Sequence, residues 1–344
     1  MRFGYWMPVF GGWLRNVRDE GMTIAWPYIR DLAAESERHG FDVTLIAELN
    51  LNDIKGHRAP SLDCWTLAPA VAAVTAKLEL MLAVRPNYHS PSLTAKALST
   101  LDTIAPGRLS LNVVSSWWRE EAAQYGVPFD VHDARYARTQ EWLEVVKRLL
   151  REDTVTHHGA LYRLDAAVLE PKPTRSPPVY MGGESPKAKE VIAADADAYV
   201  MHGDEPEVIA SKIADMSARR ARAGRPPLTF GVSGYVICRD TEAAAKAELD
   251  RILDVTSSQD TYASYQDFVA GSQLESRVSL EEYSVSNRGL RTGLVGTPEQ
   301  ITDRLRAYEQ AGIGLVLLQF SPQREEMARF GRDVISHYPG RRAG

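Results

Sequence analysis

The stretch "PGRLSLNVV", residues 106–114, sets a helix-stopping glycine directly ahead of an apolar run, and "HGFDVTLIA" (39–47) and "AGIGLVLLQ" (311–319) repeat the same junction. Glycine enters the left-handed conformation that closes a helix without steric cost, so Gly40, Gly107 and Gly312 read as helix stops rather than as phosphate loops. The run that follows each is nearly continuous in apolar residues, the pattern of a parallel strand buried on both faces. Eight such runs occur: "RFGYWMP" from Arg2, "FDVTLIAE" from Phe41, "LELMLAVRP" from Leu78, "RLSLNVVS" from Arg108, "PVYMGG" from Pro178, "AYVMHG" from Ala198, "LTFGVSGYVICRD" from Leu228 and "LVLLQF" from Leu315.

Amphipathic segments lie between them, among them "SPSLTAKALSTLDTIAPG", "EPEVIASKIADMSARRARAG" and "TPEQITDRLRAYEQAG", which open on capping or N1 residues and mostly end at glycine. Eight strand-then-helix units predict an α/β fold of the (β/α)8 (TIM) barrel type. A doubly wound open sheet is disfavoured, because no GxGxxG follows any predicted strand. The barrel is expected as a single domain over residues 1–336, with a tail at 337–344. Two segments break the alternation: 154–174, expected as a hairpin before the fifth strand, and 255–290, a long excursion before the last helix–strand unit, of the kind that forms lids.

The 344 residues are 44% hydrophobic and 25% charged, the composition of a globular protein and not of a disordered one. A net charge of -5 argues against nucleic acid as the default partner and for a small molecule. Cys64 and Cys238 lie far apart without CxxC spacing, so neither a disulfide framework nor a zinc cluster is expected; Cys64, in the helical pattern "SLDCWTLAPAVAAV", reads as a small core residue. There is no signal-peptide pattern at the start and no apolar run near the roughly 18 residues a membrane span needs, so the expected location is the cytoplasm.

In such a barrel the chemistry sits at the C-terminal ends of the strands. That rim should carry Glu48 after the second strand, Arg85 and His89 after the third, Asn112 within the fourth, Gly182 to Ser185 after the fifth, His202 after the sixth and Tyr235 on the seventh. An inward amide at Asn112 both donates and accepts, which suits a heteroaromatic ring with carbonyl and N–H edges, such as a flavin. In "GGESPKAKE", Gly182, Gly183 and Ser185 precede a helix, where backbone N–H groups and a hydroxyl can cradle phosphate. Arg135 and Tyr136, in the first turns of "HDARYARTQEWLEVVKRLL", are positioned to reach the same phosphate. His132 and Asp133 lack a third ligand at metal spacing, so no metal is expected. His157 and His158 are expected to face solvent, and one of Trp117 and Trp118 to pack inward as core while the other walls a pocket.

"RPNYHSPSLTAKALSTLDTIAPGRLSLNVVSSWWREE", "HDARYARTQEWLEVVKRLL", "PVYMGGESPKAKEVIAADADAYV" and "GLVGTPEQITDRL", in that order, resemble the bacterial luciferase-like flavin monooxygenases, within them the dimethyl-sulfone and alkanesulfonate monooxygenases, with the pyrimidine oxygenase nearby. The resemblance implies a barrel that takes reduced FMN from a separate NAD(P)H-dependent flavin reductase and uses O2 to oxygenate a small substrate. It carries flavin contacts onto Glu48, Asn112, Glu121, Arg135, Tyr136 and Ser185. It leaves His89, His202, Arg288 and Arg291 as candidates for polarising the substrate or the activated oxygen, and Trp6, Trp117 and Tyr235 for lining the substrate. Arg288 and Arg291, in "SNRGLRTGLVG", fall near the family's mobile-loop arginine. Homo-oligomers are common in the family, so a homodimer or homotetramer is expected.

The chain departs from the sulfonate members where they carry an Arg and a His on the seventh strand: here stand Ser233 and Tyr235. Their tryptophan after the sixth strand is His202 here, and their active-site cysteine aligns with Ser61. A sulfonate's charge calls for a desolvated arginine fork, so the expectation moves to a neutral or weakly polar substrate, a sulfone-like organosulfur compound first and an amide or heterocycle second. A flavin- or deazaflavin-dependent oxidoreductase on the same barrel, or a non-catalytic flavin-binding protein, are the alternatives.

Overall fold

The computed structural model describes residues 1–253, 278–285 and 288–340. All eight apolar runs form the barrel: β1 (Arg2–Trp6), β2 (Val43–Ile46), β3 (Glu79–Val84), β4 (Leu109–Val113), β5 (Val179–Met181), β6 (Ala198–Met201), β7 (Thr229–Tyr235) and β8 (Leu315–Gln319). Each pairs in parallel with its sequence neighbours, and β8 returns to β1 through Arg2↔Leu315 to Tyr5↔Leu318, closing the sheet. The predicted (β/α)8 architecture is therefore the observed one. Closure explains the unbroken apolar runs, since β2 and β8 are buried at every position.

The surrounding helices are α1 (Trp26–Arg38), α2 (Cys64–Val74), α3 (Pro91–Ile104), α4 (Arg119–Gln124), α5 (His132–Leu149), α6 (Pro186–Asp195), α7 (Pro206–Arg222), α8 (Glu242–Ile252), α9 (Leu280–Ser284), α10 (Pro298–Ala311) and α11 (Gln323–Asp333). Their ends follow local chemistry. Thr297 and Gln300 make a reciprocal capping box at the head of α10, and Gly312 closes it at φ 105°. Gly40 and Gly107 likewise sit at φ 84° and 67°. Among the described residues no helix is long and apolar enough to cross a membrane.

Two small sheets sit outside the barrel. Val155–His158 and Arg163–Ala167 pair antiparallel between α5 and β5. The seventh apolar run is longer than its barrel strand: after Tyr235 it continues as Ile237–Cys238, which leaves the barrel to pair with Val295–Gly296. Most of the 255–290 excursion, and the tail from 341, lie outside the described residues. Cys64 is fully buried, as its helical pattern implies.

Two expectations are corrected. His157 does not face solvent: its ring lies 3.2 Å from Glu141 and 3.7 Å from Glu144, because Glu141 also caps the Leu161 and Tyr162 N–H groups of the hairpin and draws the imidazole in. His158 is exposed, beside Asp165. Neither Trp117 nor Trp118 is core. They stack on each other, ring centres 5.4 Å apart and planes 3° from parallel, with Trp117 exposed and Trp118 half-buried against His57.

Candidate active site

The rim over β2, β3 and β4 is a buried electrostatic network. Arg85, 2% exposed, forms a two-pronged ion pair with the fully buried Glu121. Glu121 also accepts from the Tyr88 hydroxyl at 3.2 Å and from the Asn50 backbone N–H. The Tyr88 ring lies under the guanidinium at 3.9 Å, and burial pushes its phenol up to about 12. Both Glu121 oxygens are thus engaged by protein donors.

Glu48 faces the same guanidinium at 3.5 Å and accepts the Arg85 backbone N–H at 2.7 Å through Oε2. Its Oε1 bonds His89 Nε2. A carboxylate only accepts, so Nε2 carries the proton of that bond and Nδ1 is the nitrogen left for other chemistry. The Trp65 indole lies 5.4 Å from the His89 ring, and the Trp142 N–H holds the His89 carbonyl at 2.9 Å. Asn112, half-buried one residue before the end of β4, has no side-chain hydrogen bond to protein among the described residues.

A second cluster occupies the β5–β6 side. At the head of α6, Ser185 caps the helix by accepting the Ala188 N–H at 3.1 Å and is hydrogen-bonded to the Tyr136 phenol. Gly183 sits at φ 143°, and a Cβ there would lie 2.7 Å from the Ala188 Cβ and 3.4 Å from the Tyr136 hydroxyl. The backbone turn is open only because this residue has no side chain. Arg135 lies 4.5 Å over the Phe129 ring, and its buried Nε has no protein partner among the described residues. The arrangement brings Gly182, Gly183, Ser185 and Tyr136 around one helix N-terminus, where an anion is favoured, while the neighbouring Arg135 is turned onto Phe129 and the Asp130 carbonyl. These residues fit a flavin phosphate: the turn is open at Gly183, and the Ser185 and Tyr136 hydroxyls are at hand.

Next to this cradle, Arg288, fully buried, donates to Glu184 at 2.5 Å and to His202 Nδ1. Lys212 from α7 stands 3.8 Å from Glu184 and 3.2 Å from Asp204. Desolvation holds the His202 imidazole below its ordinary pKa, and the adjacent Arg288 charge adds to this. Arg291 pairs with Glu282 of α9 and feels the charges of Asp204 and Glu184. Sequence reasoning missed Glu184, although "GGES" contains it. A carboxylate between the phosphate-cradling glycines and the capping serine was the available signal, and it anchors the arginine.

Of the candidates for lining the substrate, Trp6 is half-buried with an indole N–H that lacks a protein acceptor among the described residues, and it meets Trp13 edge-on at 6.5 Å. Trp117 is exposed at the loop above β4. Tyr235 is 1% exposed, and burial pushes its phenol far up, so it packs within the barrel end rather than on an open face.

Comparison with known proteins agrees with this geometry. The luciferase-like monooxygenase profile matches residues 1–314. The chain is 32% identical to the FMNH(2)-dependent dimethylsulfone monooxygenase of Pseudomonas putida over 97% of its own length and 94% of that protein's. It is 33% identical to the protein of the same name from Pseudomonas fluorescens (strain Pf0-1), over 97% and 93%. Among solved structures, the EDTA monooxygenase of Chelativorans sp. BNC1 superimposes with a TM-score of 0.82 at 18% identity, covering 98% of this chain and 95% of that one. With a family profile spanning most of its length and relatives above 30% identity along nearly all of it, the chain belongs to the luciferase-like monooxygenase family.

Proposed function

We propose that this chain is an FMNH2-dependent monooxygenase that uses O2 to oxygenate a small, uncharged organosulfur compound of the sulfone class. The observation that carries the cofactor half is the cradle at the head of α6: a glycine turn that a Cβ would close, a capping serine and the Tyr136 phenol. The names of the two Pseudomonas relatives, with near-complete mutual coverage, support the sulfone half.

Reduced FMN, when bound, supplies the two electrons that activate O2. The chain's own residues do the rest. Gly183, Ser185 and Tyr136 bind the phosphate. Asn112 offers an uncommitted amide at the end of β4 to the ring or the oxygen. Glu48 fixes the His89 ring, leaving Nδ1 to take or give a proton. Glu121, engaged by Arg85, Tyr88 and Asn50, acts by holding this wall of the rim rigid. Trp6 and Trp65 contribute indole N–H groups that lack protein acceptors among the described residues. A sulfone, which has acceptor oxygens and no donor, matches such an inventory.

On this reading a separate NAD(P)H-dependent reductase delivers the flavin to a cytoplasmic homodimer or homotetramer, and each chain is one barrel over residues 1–336. The test is anaerobic titration of the protein with reduced FMN, followed by mixing with oxygen and dimethylsulfone and assay of the oxygenated product. Saturable binding with product formation is expected. Tight binding of oxidised deazaflavin in place of FMN, or reduced-flavin binding with no product from any sulfone, overturns it.

A further inference from the structure

We infer that Arg288 acts as a positioning residue that locks His202 as its neutral Nε2–H tautomer, making His202 a hydrogen-bond donor to an uncharged acceptor oxygen on the substrate. The donor role rests on the monooxygenase reading above; the tautomer does not.

The chemistry of arginine decides the tautomer. A guanidinium has donors and no acceptor, and Arg288 Nη2 lies within hydrogen-bond distance of His202 Nδ1. That nitrogen must therefore present a lone pair. The competing arrangement, in which Nδ1–H donates to Glu184 Oε1, spans 3.5 Å, at the outer limit of a hydrogen bond, and would set two N–H groups against each other. Glu184 instead receives Arg288 at 2.5 Å, so one carboxylate aims the guanidinium and the guanidinium aims the imidazole. With Nδ1 an acceptor and the ring neutral, the proton resides on Nε2, which has no protein partner among the described residues, and the His202 side chain is 35% exposed.

The backbone is shaped to keep Arg288 there. Gly203, next to His202, lies so close to the incoming segment that a Cβ would stand 2.5 Å from the Arg288 carbonyl oxygen and 2.9 Å from Thr292 Cγ2. Arg288 itself is held at φ 70°, a left-handed conformation that a non-glycine residue keeps only where its surroundings over-determine it. Thr292 closes the turn onto Gly289 at 2.7 Å, and the Tyr308 hydroxyl holds the Thr292 carbonyl at 3.1 Å.

The charged groups around His202 come from every neighbouring element: Glu184 after β5, Asp204 on its own loop, Lys212 from α7, and Arg288 and Arg291 ahead of α10. Arg288 with Glu184, Lys212 with Asp204 and Arg291 with Glu282 make three opposed pairs. Among the described residues the local field is thus close to balanced.

The decisive measurement is a long-range 1H–15N spectrum of the full-length protein labelled at histidine, without flavin or substrate, with His202 assigned by its loss in His202→Gln. The expected signature is a pyridine-like Nδ1 and a pyrrole-like Nε2 that persist through the pH range in which the exposed histidines protonate. An Nδ1–H tautomer, or a ring that protonates with an ordinary midpoint, overturns the proposal. Arg288→Gln should release the tautomer and let the ring titrate near its usual value, while Gly203→Ala should do the same without touching a charged group; spectra of the other histidines report whether each variant is folded. In turnover with a sulfone, His202→Leu should lower kcat/KM about tenfold, the worth of one neutral hydrogen bond, and His202→Gln, which keeps an N–H donor, should recover most of it. Equal losses in both variants refute the donor role. Failure of the flavin reading would instead appear as absent FMN binding with the tautomer intact.

Discussion

Replacing Glu121 by glutamine separates two roles that a buried carboxylate at this rim can have: a flavin ligand, as the family resemblance implies, or a strut. Glu121 is fully buried, Arg85 is 2% exposed, and the two are joined by paired N–H···O contacts. Glutamine keeps one acceptor oxygen but turns an NH2 donor toward a guanidinium that can only donate. Arg85 is left with Glu48, 3.5 Å away, as its remaining counter-charge. Breaking one side of a buried pair costs about 3–5 kcal/mol, far more than an exposed pair would. Unfolding entropy of roughly 2.1 cal/mol/K per residue gives this chain about 0.7 kcal/mol/K, so Tm should fall by about 4–7 °C. Scanning calorimetry on the flavin-free protein measures this. The double variant Arg85→Met with Glu121→Leu should regain much of the loss, because a well-packed apolar pair carries no desolvation penalty. A Tm within about 1 °C of the parent, together with lost affinity for reduced FMN, would refute the strut and make Glu121 a direct ligand.

Gly183→Ala places a Cβ 2.7 Å from the Ala188 Cβ and should weaken reduced-FMN binding at least tenfold while leaving the circular dichroism spectrum unchanged; unaltered affinity would remove the α6 cradle from the cofactor site. Asn112→Ala should cut oxygenation with the fold intact, and turnover at the parental rate would take Asn112 out of the mechanism. Glu37 accepts the backbone N–H groups of Ala76, Lys77 and Leu78; burial alone would raise its pKa, but these donors more than offset it and hold the carboxyl below the ordinary value. A depressed folded pKa contributes stability that is complete above the unfolded value of about 4.3 and is lost as pH falls through the folded one. The destabilisation caused by Glu37→Gln in urea unfolding should therefore shrink between pH 7 and pH 3, and a pH-independent difference would contradict the linkage.

The barrel was legible because its signals are local. Each strand is a contiguous apolar run, and at three of the helix-to-strand junctions the stop is a glycine, Gly40, Gly107 and Gly312, all with the positive φ that the pattern implies. The capped turn at the head of α6 was legible for the same reason, since "GGESP" holds turn, cap and N1 residue in one stretch. Contacts between distant segments were not legible. Arg85 and Glu121 are separated by 36 positions, and nothing in either segment names the other as a partner. Trp117 and Trp118 gave the wrong expectation because hydrophobicity suggests burial, whereas adjacent rings on a loop found each other first. Gly203 did carry a signal: it follows a strand instead of closing a helix, which marks a close backbone approach.

The same cross-barrel contacts sharpen the substrate argument beyond what two substituted positions can carry. The resemblance to the sulfonate members would put cations where Ser233 and Tyr235 stand, and that alone leaves open whether Arg288 supplies the missing charge from another segment. Its side chain is fully buried against Glu184, with His202 on the same guanidinium nitrogen. To serve an anion, Arg288 would have to give up its 2.5 Å contact with the buried Glu184, which would then face the more distant Lys212 at 3.8 Å, and a broken buried pair costs up to the order of 3–5 kcal/mol that the new contact must first recover. An uncharged sulfonyl oxygen makes no such demand: it accepts a hydrogen bond from His202 Nε2 while the Arg288–Glu184 pair stays closed. On the proposed function, discrimination against anionic sulfur compounds thus comes from an ion pair already formed inside the protein, and opening that pair with Glu184→Gln should raise the relative affinity for a sulfonate over a sulfone. Competitive binding of the two ligands to the reduced-flavin complex measures that ratio, and a ratio unchanged by the substitution would show that the pair does not set the charge preference.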